Sequence, residues 1–355
     1  MFINTKAVKS SIVATLIAVC TSLTSCDSLL YQEEGDCNPT YRVRFKYDMN
    51  MKWADAFANE VKSVRLYIFD QSETLVSTYY ETSDKVLSSS DYTINLDLDP
   101  GKYTLLAWCG VDNPEAVADH FYIPSTQIGE TSLSEVTCML NRANDPSFGS
   151  VVDKRLEFMF HGLINIELPA EQNGGDYIYT IPLTKDTNHL RVVLQHLSGE
   201  DLDVSQFNFR LQDANGFYAS DNSLMADDML TYLPFKTSEG VASIVRNNTS
   251  SEIKKSKTAI ADISLGRLMA SRLNDMILTI TNGDGKDIAR IPVIDYALLS
   301  KDYYEVAYNH EMSDQEFLDR QDEYIMTFFI DENNEWYSAE IYIESWRIVF
   351  QNVSQ

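Results

Sequence analysis

Between Tyr41 and Tyr47 the chain alternates without a break, with Tyr41, Val43, Phe45 and Tyr47 on one side and Arg42, Arg44 and Lys46 on the other. Successive side chains leave opposite faces of a pleated strand, so a period of two means a strand with one buried face. The basic row reads as a solvated face. Similar short apolar stretches return at residues 64–69, with Val64, Leu66 and Ile68 as the inner row, and at 92–98, 103–108, 134–140, 156–160, 163–168 and 177–184. Polar breaks at 141–149 and 171–176 separate them, and Trp53, Phe57 and Val61 allow one brief helical interval. A second set follows at 190–197, 207–211, 276–280, 288–294, 324–330, 337–343 and 346–350. Many short strands between turns favour a sandwich over alternating strand and helix.

Turn chemistry suggests how they connect. Asp99-Pro100-Gly101 reads as the turn of a hairpin joining 92–98 to 103–108, since Pro fixes φ and Gly accepts positive φ. Asp213 to Gly216 and Asn282-Gly283-Asp284-Gly285 are further turn signals, the latter a hairpin in preference to a calcium loop because the 12-residue ligand pattern is absent. Residues 236–257, with Lys254, Lys255 and Lys257, read as an exposed loop or ragged hairpin. Ser313 with Glu316 three residues on makes a capping box for a short helix carrying Phe317 and Leu318.

The amino terminus decides where this fold works. Lys6 and Lys9 precede an apolar run over 12–19, which is too short to span a bilayer, and Leu23-Thr24-Ser25-Cys26 closes it. That is a signal peptide of lipoprotein type, residues 1–25, with Cys26 as the residue that receives lipid. Each buried methylene contributes roughly 0.8 kcal/mol, so two or three acyl chains on Cys26 would make attachment effectively permanent. Residues 26–40, with Glu33, Glu34 and Asp36, read as a lipidated spacer, and acids just after the cysteine resemble surface-export signals of lipoproteins in some Gram-negative anaerobes. The expected domains are 41–184 and 185–355. At 355 residues the chain is long enough for two.

The formal charge is −25, and becomes −27 when Lys6 and Lys9 leave with the signal. Such a surface repels phosphate backbones, which argues against nucleic acid as a partner. In an oxidising compartment Cys37, Cys109 and Cys138 are left to sort. A bridge between Cys37 and Cys109 would close a loop of about 72 residues and contribute roughly 4 kcal/mol; three buried free thiols are the alternative.

Catalytic and cofactor chemistry finds little support. The five histidines, His120, His161, His189, His196 and His310, form neither HxxxH nor HExxH, and no GxSxG, P-loop or GxGxxG occurs. With 53 Asp and Glu, close carboxylate pairs such as Asp97 with Asp99 or Asp201 with Asp203 are inevitable and do not mark a hydrolase. No catalytic, metal or cofactor residue is assigned. Trp53, Trp108, Trp336 and Trp346 lie in or beside apolar rows and read as core, though 20 Tyr on a surface lipoprotein leave glycan binding as the second reading.

Several stretches carry a resemblance. In the first half these are Cys37-Asn38-Pro39, Tyr41 to Phe45, Leu66-Tyr67-Ile68-Phe69-Asp70, Leu98-Asp99-Pro100-Gly101-Lys102-Tyr103 and Ala107-Trp108-Cys109-Gly110. In the second they are Thr187-Asn188 with Arg191 to Gln195, Ile291 to Tyr296, Asp319-Arg320-Gln321-Asp322-Glu323-Tyr324, and Trp346 to Val349. In this order and behind a lipobox, they resemble the FimB-like family of fimbrial anchor subunits. The resemblance implies an all-β fold of two tandem transthyretin-like Greek-key β-sandwich domains at the base of a type V fimbria. It further implies an outer-membrane, surface-exposed protein held by the lipid on Cys26, a Cys37–Cys109 bridge, no enzyme activity, and fimbrial shaft subunits as partners joined by strand complementation. The alternative is a glycan-binding surface lipoprotein of a polysaccharide-uptake system.

Overall fold

A computed structural model describes residues 39–110, 120–170, 175–245, 253–331, 336–343 and 346–350. Its strands form five sheets. The first runs β11 (Gly175–Pro182), β1 (Pro39–Lys46), β4 (Ile94–Leu96). The second runs β12 (Thr184–Lys185), β10 (Phe160–Leu168), β5 (Gly101–Cys109), β2 (Val64–Phe69), β3 (Leu75–Glu81). A six-stranded third sheet has the order β17 (Lys236–Val245), β18 (Ile253–Leu265), β13 (Asn188–His196), β21 (Glu323–Ile330), β22 (Trp336–Ile343), β23 (Trp346–Phe350). The fourth is β20 (Asp287–Pro292), β19 (Ile277–Asn282), β14 (Phe207–Asp213), β16 (Leu230–Tyr232), β9 (Gly149–Val152), β8 (Ala143–Asp145). A small fifth sheet holds β15 (Phe217–Tyr218), β7 (Cys138–Leu140) and β6 (Phe121–Tyr122). The chain is all-β in class.

The alternation in β1 is used as its pattern dictates: Tyr41, Val43, Phe45 and Tyr47 are buried while Arg44 and Lys46 face solvent. They meet Val64, Leu66, Ile68, Leu105, Ala107 and Cys109 from the second sheet in one apolar core. The intervening residues of that sheet, Tyr67, Phe69, Leu106 and Trp108, are buried too, and belong to a second, larger core. Both faces of β2 from Leu66 on and of β5 from Leu105 on are therefore dry. A strand buried on both sides reads as a continuous apolar run, which is how 64–69 is written.

The larger core has residues on both sides of the expected division at 184/185. Residues 121–159 leave the first sandwich and cross to the second half, where β8 and β9 complete the fourth sheet and β6 and β7 pair with β15. The larger core mixes Tyr67, Trp108, Val136 and Met159 with Leu190, Phe209, Ile263 and Phe328. An exposed apolar face carrying Trp108 would be costly, and the excursion together with the second half covers it.

Two expected connections also differ. Asp99-Pro100-Gly101 does not close a hairpin: β4 pairs with β1 in the first sheet, and β5 pairs with β2 and β10 in the second, so the turn carries the chain between layers. Asp213 to Gly216 does the same, delivering β14 to the fourth sheet and β15 to the fifth. By contrast Asn282 to Gly285 joins β19 to β20 as a hairpin, with Gly285 at φ +78°. Residues 236–257 fall mostly in the β17–β18 hairpin, a regular ten-pair ladder. The helix Asp314–Arg320 starts at Ser313, whose Oγ accepts from the Glu316 N–H at 3.1 Å, and it buries Phe317 and Leu318. The helix Lys301–Tyr308 was not anticipated.

Candidate functional site

Cys26, the expected point of lipid attachment, and Cys37 both lie outside the described residues. Cys109 is a free and fully buried thiol, as is Cys138. The register of the first half separates Cys109 from the start of β1. Tyr41 donates its hydroxyl to the Pro169 carbonyl, beside the pair Leu168–Gly101, whereas Cys109 pairs with Phe160 at the other end of β5. Eight residues of strand are about 26 Å. Two residues before Pro39 reach about 7 Å, and a disulfide needs Cα atoms within about 7 Å. Pro39, where the described part of β1 begins, thus lies at the end of the sandwich away from Cys109. This geometry also defines two ends of the first sandwich, one at Pro39 and the other at Tyr47, Phe160 and Cys109.

At that opposite end the two halves are joined by charge as well as by apolar packing. Lys185, on β12 and almost wholly buried, is ion-paired with Asp322 and lies 3.4 Å from Glu60. Its ammonium also sits 3.4 Å from the centroid of Phe158. Arg320 donates to the Asp48 carbonyl at 3.0 Å and to Glu316 at 2.9 Å. Its guanidinium covers Trp53, which leans edge-on against His310 at 4.7 Å. Deeper in, Arg267 makes a two-pronged contact with Asp319, at 2.8 and 2.7 Å. It lies 3.6 Å from Asp186, which accepts from Asn222 at 2.8 Å. With Arg267 already occupied by Asp319, burial dominates at Asp186 and pushes its carboxyl up to about 7. His161, buried edge-on against Trp108, is pushed down to about 4 by the same desolvation.

Among the described residues no group of three His, Cys, Asp or Glu is placed to hold a metal ion, and no helix is long and apolar enough to cross a membrane. What the surface does offer is sheet edges, each a row of unpaired N–H and C=O groups. Edge strands β4, β8 and β12 have at most three residues. The start of β3 is covered, since Leu75 donates to the Thr131 carbonyl and accepts from the Gly129 N–H. β11 and β17 are the long edges, at eight and ten residues. A cavity of about 550 Å³ near the joint is lined by Asn59, Glu60, Lys62, Arg155, Glu157 and Phe158 among others.

Residues 33–352 match the family model of the fimbrillin-A associated anchor proteins Mfa1 and Mfa2. The chain belongs to this anchor family. It is a family of structural fimbrial subunits. The minor fimbrium anchoring subunit Mfa2 of Porphyromonas gingivalis is 26% identical over 224 residues, covering 62% of this chain and 64% of that protein, so the match spans slightly under two thirds of the relative's length. A solved structure described as a candidate adhesin from Bacteroides thetaiotaomicron superposes with a TM-score of 0.74 at 30% identity, over 89% of this chain and 99% of the other. A candidate polysaccharide-binding protein from the same organism gives 0.71 at 29%, over 90% and 100%. The fimbrial anchor protein Mfa2 from Porphyromonas gingivalis shares the fold, with a TM-score of 0.59 at 20% identity over 88% and 99%.

Within the anchor family frame, the stretch Asp319 to Tyr324, quoted above only for its resemblance, supplies Asp319, Arg320 and Asp322 to the joint. Sequence reasoning missed Lys185, Glu60, Asp186 and Arg267. Nothing periodic marks them, because their partners at the joint lie 36 or more residues away. Trp108 is core, as expected, and Trp53 packs against it; the side chains of Trp336 and Trp346 lie outside the described set.

Proposed function

We propose that the chain is the lipid-anchored base of a fimbria. In this reading the signal peptide is removed, Cys26 carries acyl chains that hold the protein in the outer membrane, and the surface-exposed fold receives shaft subunits by strand complementation. The observation that carries it is the anchor-family match over residues 33–352, which begins a few residues after the lipobox cysteine. The physics is consistent. Two or three acyl chains resist extraction where one does not. A donated strand satisfies an open edge along its whole length while alternate side chains reach neighbouring pockets.

Affinity capture from solubilised outer membranes tests the reading. Fimbrial shaft subunits are expected to accompany the protein, and Cys26→Ala is expected to shed it into the medium together with fimbriae. A protein that stays in the membrane fraction after Cys26→Ala, or that brings down no shaft subunit, overturns it. One observation favours a second reading: the cavity beside Phe158 combines an aromatic ring with amide, carboxylate and guanidinium groups, which suits a sugar, and a 29%-identical neighbour is described as polysaccharide-binding. Retention on a glycan column that is lost in Phe158→Ala, without shaft capture, would favour it.

A further inference from the structure

The anchor reading leaves open which surface the shaft meets, and the third sheet singles out one edge. β17 is the last strand of that sheet and pairs only with β18. β18 in turn pairs with β13 only from Ala259 to Leu265. The pairs from Gly240–Thr258 to Val245–Ile253 therefore run on past the end of β13 as a two-stranded ribbon. One edge of this ribbon is closed: the Lys257 N–H donates to Asp201 at 2.8 Å, and the Leu202 N–H donates to the Lys257 carbonyl. Among the described residues nothing bonds to the outer edge, on β17. Natural sheets guard long edges with proline, bulges, brevity or charged side chains. β17 has ten residues, no proline and an unshifted register.

Its position suits an outward-facing partner. β13 leaves the joint at Asn188, next to Lys185 and Asp186, and its last pair with β18 is Leu194, six residues or about 20 Å on. The ribbon adds six more residue pairs, roughly another 20 Å. Pro39, where the tether enters, lies at the far end of the first half. The ribbon and Pro39 thus both lie away from the joint.

Its charge is also opposite to that of the chain. Lys257 is paired with Glu239 at 2.9 Å and its N–H holds Asp201, which leaves Lys236 and Lys255 as cations without an ion partner among the described residues, on a protein of −25. Val241, at mid-strand, is 70% exposed. We propose that the outer edge of β17 is the shaft-docking edge. An extended segment of a fimbrial shaft subunit, carrying Asp or Glu, adds to it as a seventh strand of the third sheet. The inference rests on the fimbrial anchor reading and specifies its contact.

A photo-cross-linking amino acid at Val241, at Ile178 on the rival edge β11, and at Val306 on the exposed face of the helix Lys301–Tyr308 tests this in fimbriated cells. All three sites are exposed, so the full-length protein folds with each. Val241 is expected to give an adduct with a shaft subunit, and the other two none. Lys255→Glu, which brings the sum of those two charges to zero, is expected to lower shaft capture about fivefold in low salt, with the difference closing in high salt. If the unsubstituted protein captures shaft subunits but adducts form only at Ile178 or Val306, or none forms at Val241, the edge assignment is wrong and the anchor reading stands. An adduct at Val241 with a second copy of this chain also overturns the assignment. If no shaft subunit is captured by any form, the anchor reading itself fails.

Discussion

The guanidinium carbon of Arg320 lies 3.8 Å from the ring centroid of Trp53, and the two residues belong to opposite halves of the chain. Arg320 is nearly buried there, and its donors are spent on the Asp48 carbonyl and on Glu316. The flat cation can stack on the indole and bond in its own plane at once; an ammonium cannot.

Arg320→Met is therefore expected to destabilise the fold by about 2–4 kcal/mol, since it leaves a buried carbonyl and a carboxylate without their donor. Arg320→Lys should recover only part of that. Urea denaturation followed by tryptophan emission measures both, and equal stability of Arg320→Lys and wild type would refute the stacking argument.

Asp186 gives the joint a pH dependence with a definite sign. Its folded carboxyl is raised to about 7 from the usual 3.8, so the proton is held more tightly folded than unfolded. The stabilising contribution of the protonated form is complete below pH about 4 and is lost as pH rises through about 7. The facing charges, Arg267 and Asp319, remain paired with each other across that window. Melting temperature, corrected for the remaining carboxylates by comparison with Asp186→Asn, should fall between pH 5 and 8 in wild type by an amount equivalent to a few kcal/mol. The Asn variant should show a flatter profile. Parallel profiles would sink the claim.

Much of this fold could be read from residue order, and the failures have a physical pattern. Alternation located β1 and an apolar run located β2, because each reflects the environment of the strand's faces. The Asn282 to Gly285 turn and the Ser313 cap were legible because their chemistry is local. Asp99-Pro100-Gly101 was misread because a turn sequence fixes dihedral angles, not the sheet in which the next strand pairs. The parallel partner of β1 is β11, about 135 residues on, and no local signal reports it. The candidate edge fared likewise: the lysines of 254–257 were noticed, but the ladder that displays them depends on where β13 ends.

Gly110 offers a stability test of that long-range packing. At φ +81° it places a built Cβ 1.7 Å from the Phe158 carbonyl oxygen. Gly110→Ala should cost about 3 kcal/mol or more, or prevent folding. Gly285→Ala, at φ +78° with nothing within 4 Å, should cost about 1 kcal/mol. Similar losses in the two variants would show that backbone strain alone matters at Gly110.

Cys109 and Cys138 should be inert in the native protein. Burial pushes both thiols far up, and the thiolate is the reactive form. An aromatic disulfide reagent is expected to leave both unlabelled until denaturant exposes them, and peptide mapping should recover Cys109 as a free thiol. Recovery of a peptide joining Cys37 to Cys109 would contradict the register of β1.

The first strand of each half lies parallel to its long-range neighbour: β1 runs alongside β11 over eight pairs, and β13 alongside β21 over eight. A pull that enters at Pro39 therefore acts along the strand and loads those hydrogen bonds together, in shear, instead of peeling them one at a time. Resistance to force is set by the barrier to unfolding and not by the equilibrium stability. Under the amino-terminal anchoring proposed above, parallel first strands thus suit a protein that must persist under traction that would unzip an antiparallel end.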